Sequence, residues 1–224
     1  LLEKDIENLK TEYDNLSIYY LLFSLKCYNN SNRTDFIYLQ RRTHMNGLSG
    51  NIWHNINVKR VTPTDFICVI EIPKGSKNKY ELDKETGYII LDRILYTSTH
   101  YPANYGFIPK TYADDDDPLD VLVLCSEQIE PMALVRCYPI GVISMMDGGH
   151  ADDKIIAIPF GDPTYNEYKD ISQLPKHIFD EMTHFFKVYK MLENKDAAID
   201  EAQGVLAAVE IIEDAIEGYK KKFG

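Results

Sequence analysis

Phe66-Ile67-Cys68-Val69-Ile70-Glu71-Ile72 is a short run of β-branched and aromatic residues that ends at Pro73. Apolar runs of this length, bounded by turn residues, read as buried strands. The pattern recurs down the chain. Tyr88 to Tyr96, Val121 to Leu124, Val135 to Val142 and Ile155 to Pro159 are further strand candidates, set apart by clusters of Gly, Pro, Asn and Asp. No helix-length segment separates them, so a compact antiparallel barrel is expected in place of a sheet with βαβ crossovers.

Helical periodicity appears on both sides of these strands. The first helix after them begins near Pro175, with Ile178, Met182, Phe185 and Tyr189 on one face; the second runs from about Asp200 to Lys221 and carries Leu206, Val209, Ala215 and Tyr219. Ahead of the strands, Leu2, Ile6, Leu9, Tyr13, Leu16, Tyr20 and Phe23 are spaced by four and three residues, as on an amphipathic helix. The expected organisation is a helical extension over residues 1–50 and a mainly β domain with flanking helices over residues 51–224. Such an N-terminal stripe more often packs on its own domain, but it is also long enough to support a homo-oligomer, with a dimer favoured.

A chain of 224 residues suits one well-buried core with an appendage. Its net charge of −11 and the lack of any Lys/Arg-rich run argue against nucleic acid and anionic membrane surfaces as partners. The longest strongly apolar run, Ile18 to Leu25, falls well short of the ~18 residues of a membrane span. Cys27, Cys68, Cys125 and Cys137 form no C-x-x-C pair, so buried free thiols and a cytoplasmic, reducing location are expected. An acidic protein still binds a polyanion once its carboxylates have taken up divalent cations.

Asp114-Asp115-Asp116-Asp117-Pro118-Leu119-Asp120-Val121 invites that reading. Two carboxylates ~4 Å apart repel by about 1 kcal/mol in water and by more at a shielded site, so the cluster needs full solvation or cations. An isolated acid run is ordinarily a solvated loop. Here Pro118 fixes its own φ and pushes Asp117 toward extended geometry, which makes the turn rigid. Asp115, Asp117 and Asp120 can then converge, in the hard-oxygen chemistry that Mg²⁺ prefers.

Other motif readings fail. An EF-hand starting at Asp115 needs Gly and Glu where Asp120 and Ser126 stand. There is no G-x-x-x-x-G-K-[ST] phosphate loop and no Nudix-like pattern. A second polar loop, Asp147-Gly148-Gly149-His150-Ala151-Asp152-Asp153-Lys154, combines acids, a tight bend and a base; it reads either as a hairpin connection or as a cation site beside an anion site. Lys79-Tyr80-Glu81, Arg93, Tyr101-Pro102-Ala103-Asn104-Tyr105-Gly106 and Tyr189-Lys190 form the third element. Their meaning depends on whether they meet the acids.

Taken together these segments resemble the family I soluble inorganic pyrophosphatases. Asp115-Asp116-Asp117-Pro118-Leu119-Asp120 is similar to the family's D-x-D-P-x-D signature, and Val69-Ile70-Glu71-Ile72-Pro73 to its V-x-E-I-P strand. The K-Y-E, Y-P-x-N-Y-G, D-x-x-x-x-D-x-K and terminal Y-K segments follow, and the resemblance runs from about Trp53 to Tyr189. The resemblance implies a five-stranded OB-like barrel and hydrolysis of pyrophosphate to two phosphates, by a site with several Mg²⁺ ions and a metal-activated water. It implies that Asp115, Asp120 and Asp152 hold the first Mg²⁺ and that Asp120 is shared with the second. Asp147 and Asp152 then receive ions arriving with the substrate, and Glu71 and Glu81 hold metal-bound waters. Asp117 is implied as general base. Lys79, Arg93, Tyr105, Lys154, Tyr189 and Lys190 are implied as phosphate ligands, with Tyr101 supporting them. The rival reading is a cation or polyphosphate-binding module without catalysis.

Overall fold

A strand covered on both faces needs apolar residues at every position, and the longest runs of this sequence supply them. The computed structural model describes residues 50–194, 198–200 and 202–224. The strands among them are β1 (Val61–Thr62), β2 (Asp65–Ile72), β3 (Asn78–Leu82), β4 (Ile89–Ile94), β5 (Asn104–Phe107), β6 (Asp120–Val123), β7 (Leu134–Ile143), β8 (Met145–Asp147), β9 (His150–Ala151), β10 (Lys154–Pro159), β11 (Ala198–Ile199) and β12 (Gln203–Gly204). The helices are α1 (Ile52–Asn55), α2 (Lys176–Val188) and α3 (Val205–Phe223). The fold is mainly β with flanking helices.

Seven strands form one sheet in the order β1-β2-β5-β6-β10-β7-β12, and β2 also pairs with β7. The strands β2, β5, β6, β10 and β7 therefore close into a ring. β10 is buried along its whole length because it feeds two cores. Ile155 and Ala157 pack in one cluster with Ala208, Ile212 and Ile216 of α3. Ile156 and Ile158 pack in another with Phe179, Met182 and Phe186 of α2. Pro139, which cannot donate to a ladder, sits beside the register shift between β7 and β10.

Several expectations are corrected. The ring is not wholly antiparallel, for β10 lies parallel to β6. β10 runs antiparallel to β7 on its other side, and the chain returns through β8 and β9 before entering the gap. The Tyr88 to Tyr96 run does contain a strand, but among the described residues β4 pairs only with β3, in a separate two-stranded sheet. α3 starts at Val205, later than expected, because Gln203 and Gly204 extend the sheet against Val142 and Gly141. Its buried stripe is Ala208, Ile212, Ala215, Ile216 and Tyr219, whereas Leu206 is 78% exposed.

α2 lies close to where it was expected and buries Met182 and Phe185. Cys68, Cys125 and Cys137 are buried free thiols. No helix among the described residues is long and apolar enough to cross a membrane. The expected N-terminal amphipathic helix lies outside the described residues.

Candidate active site

The ring sets the site by placing polar residues at strand ends. Asp120 is the first residue of β6 and Lys154 the first of β10, and the parallel register pairs them directly. Glu71 is near the end of β2, and Tyr105 lies on the neighbouring β5. Gly106 permits that closeness. A Cβ at this position would stand 1.9 Å from the Val69 carbonyl oxygen, so only glycine lets β5 and β2 approach as they do.

The acidic loop is fastened at several points. The buried Thr111 hydroxyl accepts the Leu119 N–H at 2.8 Å and donates to the Ile108 carbonyl at 2.5 Å. Ala113 N–H donates to the Asp117 carbonyl at 2.8 Å, and Asp117 N–H to the Asp115 carboxylate at 3.1 Å. Asp116 takes a left-handed backbone at φ 68°, a conformation that Asp tolerates, and its carboxylate turns away to the Tyr112 hydroxyl. Asp115 and Asp117 remain on the inner side.

Those side chains line a cavity of about 290 Å³. Its acids are Glu71, Glu81, Asp115, Asp117, Asp120 and Asp152, and its bases and phenols are Lys79, Lys84, Lys154, Lys190, Tyr80, Tyr105 and Tyr189. Most residues expected to share a site do so. Two stand apart. Arg93 lies on β4 outside the lining, where Nε donates to Glu193 at 2.9 Å and Nη1 to Asp92 at 2.5 Å, while the buried Nη2 has no hydrogen-bond partner among the described residues. Asp147 is the last residue of β8, opposite His150; its side chain lies outside the described part. Tyr101 stays in the wall, packed on Tyr105 and Phe185 with ring centroids 5.4 and 4.7 Å away.

Ion pairs organise the cavity. Lys154, whose side chain is 3% exposed, donates to both Asp120 and Asp152. Burial alone would lower its pKa, but Asp120 and then Asp152 override that and hold the ammonium above its ordinary range. Lys79 pairs with Glu81 and with Asp92, the latter at 3.1 Å. Lys84 pairs with Asp117. The Tyr105 hydroxyl donates to Asp120; burial first, and then that carboxylate, push the phenol well above its usual range.

The acids are held under tension. Burial, then the charge of Asp120, push Glu71 up to about 8, although the Leu82 N–H donates to it at 2.7 Å. Asp115 is raised by enclosure and then by Asp120. Asp152 is raised by burial, with Lys154 opposing and Asp120 assisting. Carboxylates held above their usual range by enclosure and mutual repulsion are relieved by a hard cation, and the donors are all oxygens, so the set fits Mg²⁺. Among the described residues, no three potential ligands are already gathered around one point. Lysines are seated on Asp117, Asp120 and Asp152 instead.

Lys84 and Asp92 belong to this network but follow from no quoted motif. A hairpin signal was available, since Asp83-Lys84-Glu85-Thr86-Gly87 is a turn-forming stretch directly after K-Y-E.

Comparison with known proteins shows the family. The family model described as inorganic pyrophosphatase matches residues 68–220, so the likeness continues well past Lys190. Soluble inorganic pyrophosphatase 2 of Chlamydomonas reinhardtii is 47% identical over 177 residues, covering 79% of this chain and 92% of the relative. A soluble inorganic pyrophosphatase of Solanum tuberosum is 50% identical over 167 residues, covering 75% and 79%. Among solved structures, the inorganic pyrophosphatase of Helicobacter pylori superposes with a TM-score of 0.71 at 40% identity, over 75% of this chain and 99% of that one. The Thermus thermophilus enzyme gives 0.73 at 36% identity, over 76% and 99%. With the fold and more than half the sequence in agreement, this chain belongs to the family I soluble inorganic pyrophosphatases.

Proposed function

We propose that this protein hydrolyses inorganic pyrophosphate to two phosphates at the cavity between the acidic loop and the β3–β4 hairpin, with several Mg²⁺ ions as cofactor. One observation carries the reading: carboxylates raised by enclosure and lysines poised for phosphate line the same cavity. On this reading the closed ring of strands is an OB-like five-stranded barrel, and the cavity sits at the ends of its strands.

Asp115, Asp120 and Asp152 would hold the first ion and Asp120 would also serve a second; Asp147 and Asp152 would take ions that arrive with the substrate, and Glu71 and Glu81 would hold their waters. Bound magnesium supplies Lewis acidity and lowers the pKa of water. Asp117 accepts the proton of the attacking water. Its position on a turn fixed by Pro118 keeps its carboxylate facing the cavity. Lys79, Lys154, Lys190, Tyr105 and Tyr189 bind the phosphoryl oxygens, where preorganised charge lowers the barrier most. Arg93 joins them by turning from Glu193 and Asp92, and its unpartnered Nη2 supports that assignment.

Assembly as a homodimer goes with this reading, supported by the apolar side chains of Ile90, Leu91 and Ile94 that β4 leaves exposed. Sedimentation at the mass of a single chain contradicts it.

The function is tested by incubating the protein with pyrophosphate and Mg²⁺ and measuring released phosphate, with nucleoside triphosphates in parallel. Release from pyrophosphate, dependent on Mg²⁺ and well above that from nucleotides, is expected. Binding of Mg²⁺ without any release would instead support a non-catalytic cation module.

A further inference from the structure

Lys84 stands at the root of a well-built turn. Gly87 N–H donates to the Asp83 carbonyl at 2.7 Å, and the Asp83 carboxylate accepts from Glu85 N–H at 3.1 Å and from the Thr86 hydroxyl at 2.5 Å. From the other side, Asn51 Nδ2 donates to the Lys84 carbonyl at 2.8 Å. The backbone of Lys84 is therefore held while its side chain reaches into the cavity, with Nζ 5.9 Å from the Trp53 ring centroid and paired with Asp117.

The cavity lysines differ in how firmly they are held. Lys154 and Lys79 are 3% and 17% exposed and each grips two carboxylates, whereas Lys84 is 49% exposed and pairs with one. A half-solvated single pair is weak and re-forms with another anion at little cost. Of these three, Lys84 is thus the cation that changes partner most readily, and its present partner is the carboxylate assigned above as general base.

We propose that Lys84 is a further substrate-binding residue, which leaves Asp117 for the phosphoryl oxygens of incoming pyrophosphate and so uncovers the base only when substrate is bound. The inference rests on the pyrophosphatase reading given above. No bond is made or broken at Lys84. Its ammonium exchanges a carboxylate for phosphate oxygens, and Asp117 is then open to water. Trp53, beneath the ammonium, feels the exchange.

Trp53 is the only tryptophan in the sequence, so its emission reports on Lys84 directly. The experiment compares wild type, Lys84→Met and Lys84→Arg in two measurements: steady-state hydrolysis of pyrophosphate, and Trp53 emission during titration with methylenediphosphonate in the presence of Mg²⁺. Lys84→Met is expected to raise KM about 10-fold, the scale of one charge-assisted hydrogen bond at a half-exposed site. Its kcat should stay within about threefold of wild type, as for lost ground-state binding, and Lys84→Arg should restore KM. The emission change seen in wild type should vanish in Lys84→Met. A KM for Lys84→Met within about twofold of wild type, or an undiminished emission response, would overturn the proposal. Should wild type release no phosphate, the functional reading fails separately, and the emission titration alone then decides for or against Lys84 as an anion ligand.

Discussion

Lys154 and Asp120 are register partners across the parallel pair β6–β10, and the ammonium of one donates to the carboxylate of the other. Two strands whose first residues lie 34 positions apart thus deliver a base and an acid to one point. The pairing follows from the ring, since β10 enters between β6 and β7 in the direction of β6. The Y-P-x-N-Y-G segment adds the Tyr105 hydroxyl to the same carboxylate. Asp120 is therefore the hub where metal chemistry and phosphate chemistry meet on the proposed mechanism.

Burial of Glu71 predicts a pH dependence in the metal-free protein. Its folded pKa of about 8 lies above the ordinary 4.5, so the folded chain holds a proton that the unfolded chain has released between those values. Stability from this group is full below about pH 4.5 and is lost as pH rises toward 8. Replacing Glu71 with Gln keeps the neutral shape and removes the penalty. The Tm of Glu71→Gln, measured without metal, should rise relative to wild type as pH goes from about 5 to about 8. A constant difference across that range contradicts the assignment.

Gly106→Ala tests the close approach of β5 to β2. The new Cβ falls 1.9 Å from the Val69 carbonyl oxygen, and backbone cannot give way as a side chain can. A loss of about 3 kcal/mol or more is expected, as for severe overpacking. For a chain of this size that lowers Tm by about 10 °C. Thermal unfolding at wild-type temperature would mean that the strands separate more easily than this packing implies.

Asp117→Asn addresses the proposed base. The amide fits the same turn but neither accepts a proton nor pairs fully with Lys84. A fall in kcat of about 10²- to 10⁴-fold is expected, the usual weight of a general base. Binding of methylenediphosphonate with Mg²⁺ should weaken far less. Equal losses in kcat and in binding would recast Asp117 as a ligand.

Much of this was legible in the sequence because the strands are two-sided. Runs such as Phe66 to Ile72 and Ile155 to Pro159 are apolar at nearly every position, and only strands buried between two cores need that. The acidic loop was legible for a related reason: crowded carboxylates before a proline are costly unless they serve. Periodicity carries no information on strand direction, so the parallel β6–β10 pair was missed. It also placed Leu206 on the buried face of α3, although at about 3.6 residues per turn Leu206 falls on the side of the helix opposite the buried Ala215. Lys84 escaped notice because a lysine in a polar turn looks like any solvated residue; only the fold shows that the hairpin leans it over Asp117. The role of Arg93 follows from the family resemblance alone, and the network of Asp92 and Glu193 that holds it appears only in three dimensions.

The most direct test of a shared metal and phosphate centre is the rate of phosphate release from pyrophosphate with Mg²⁺ by Asp120→Ala, beside wild type and with the Tm of both recorded. Loss of even an outer partner of a metal costs about 10- to 100-fold, so removing the hub carboxylate should cost at least 100-fold while the folded state persists. Turnover close to wild type in a folded Asp120→Ala protein would contradict the account.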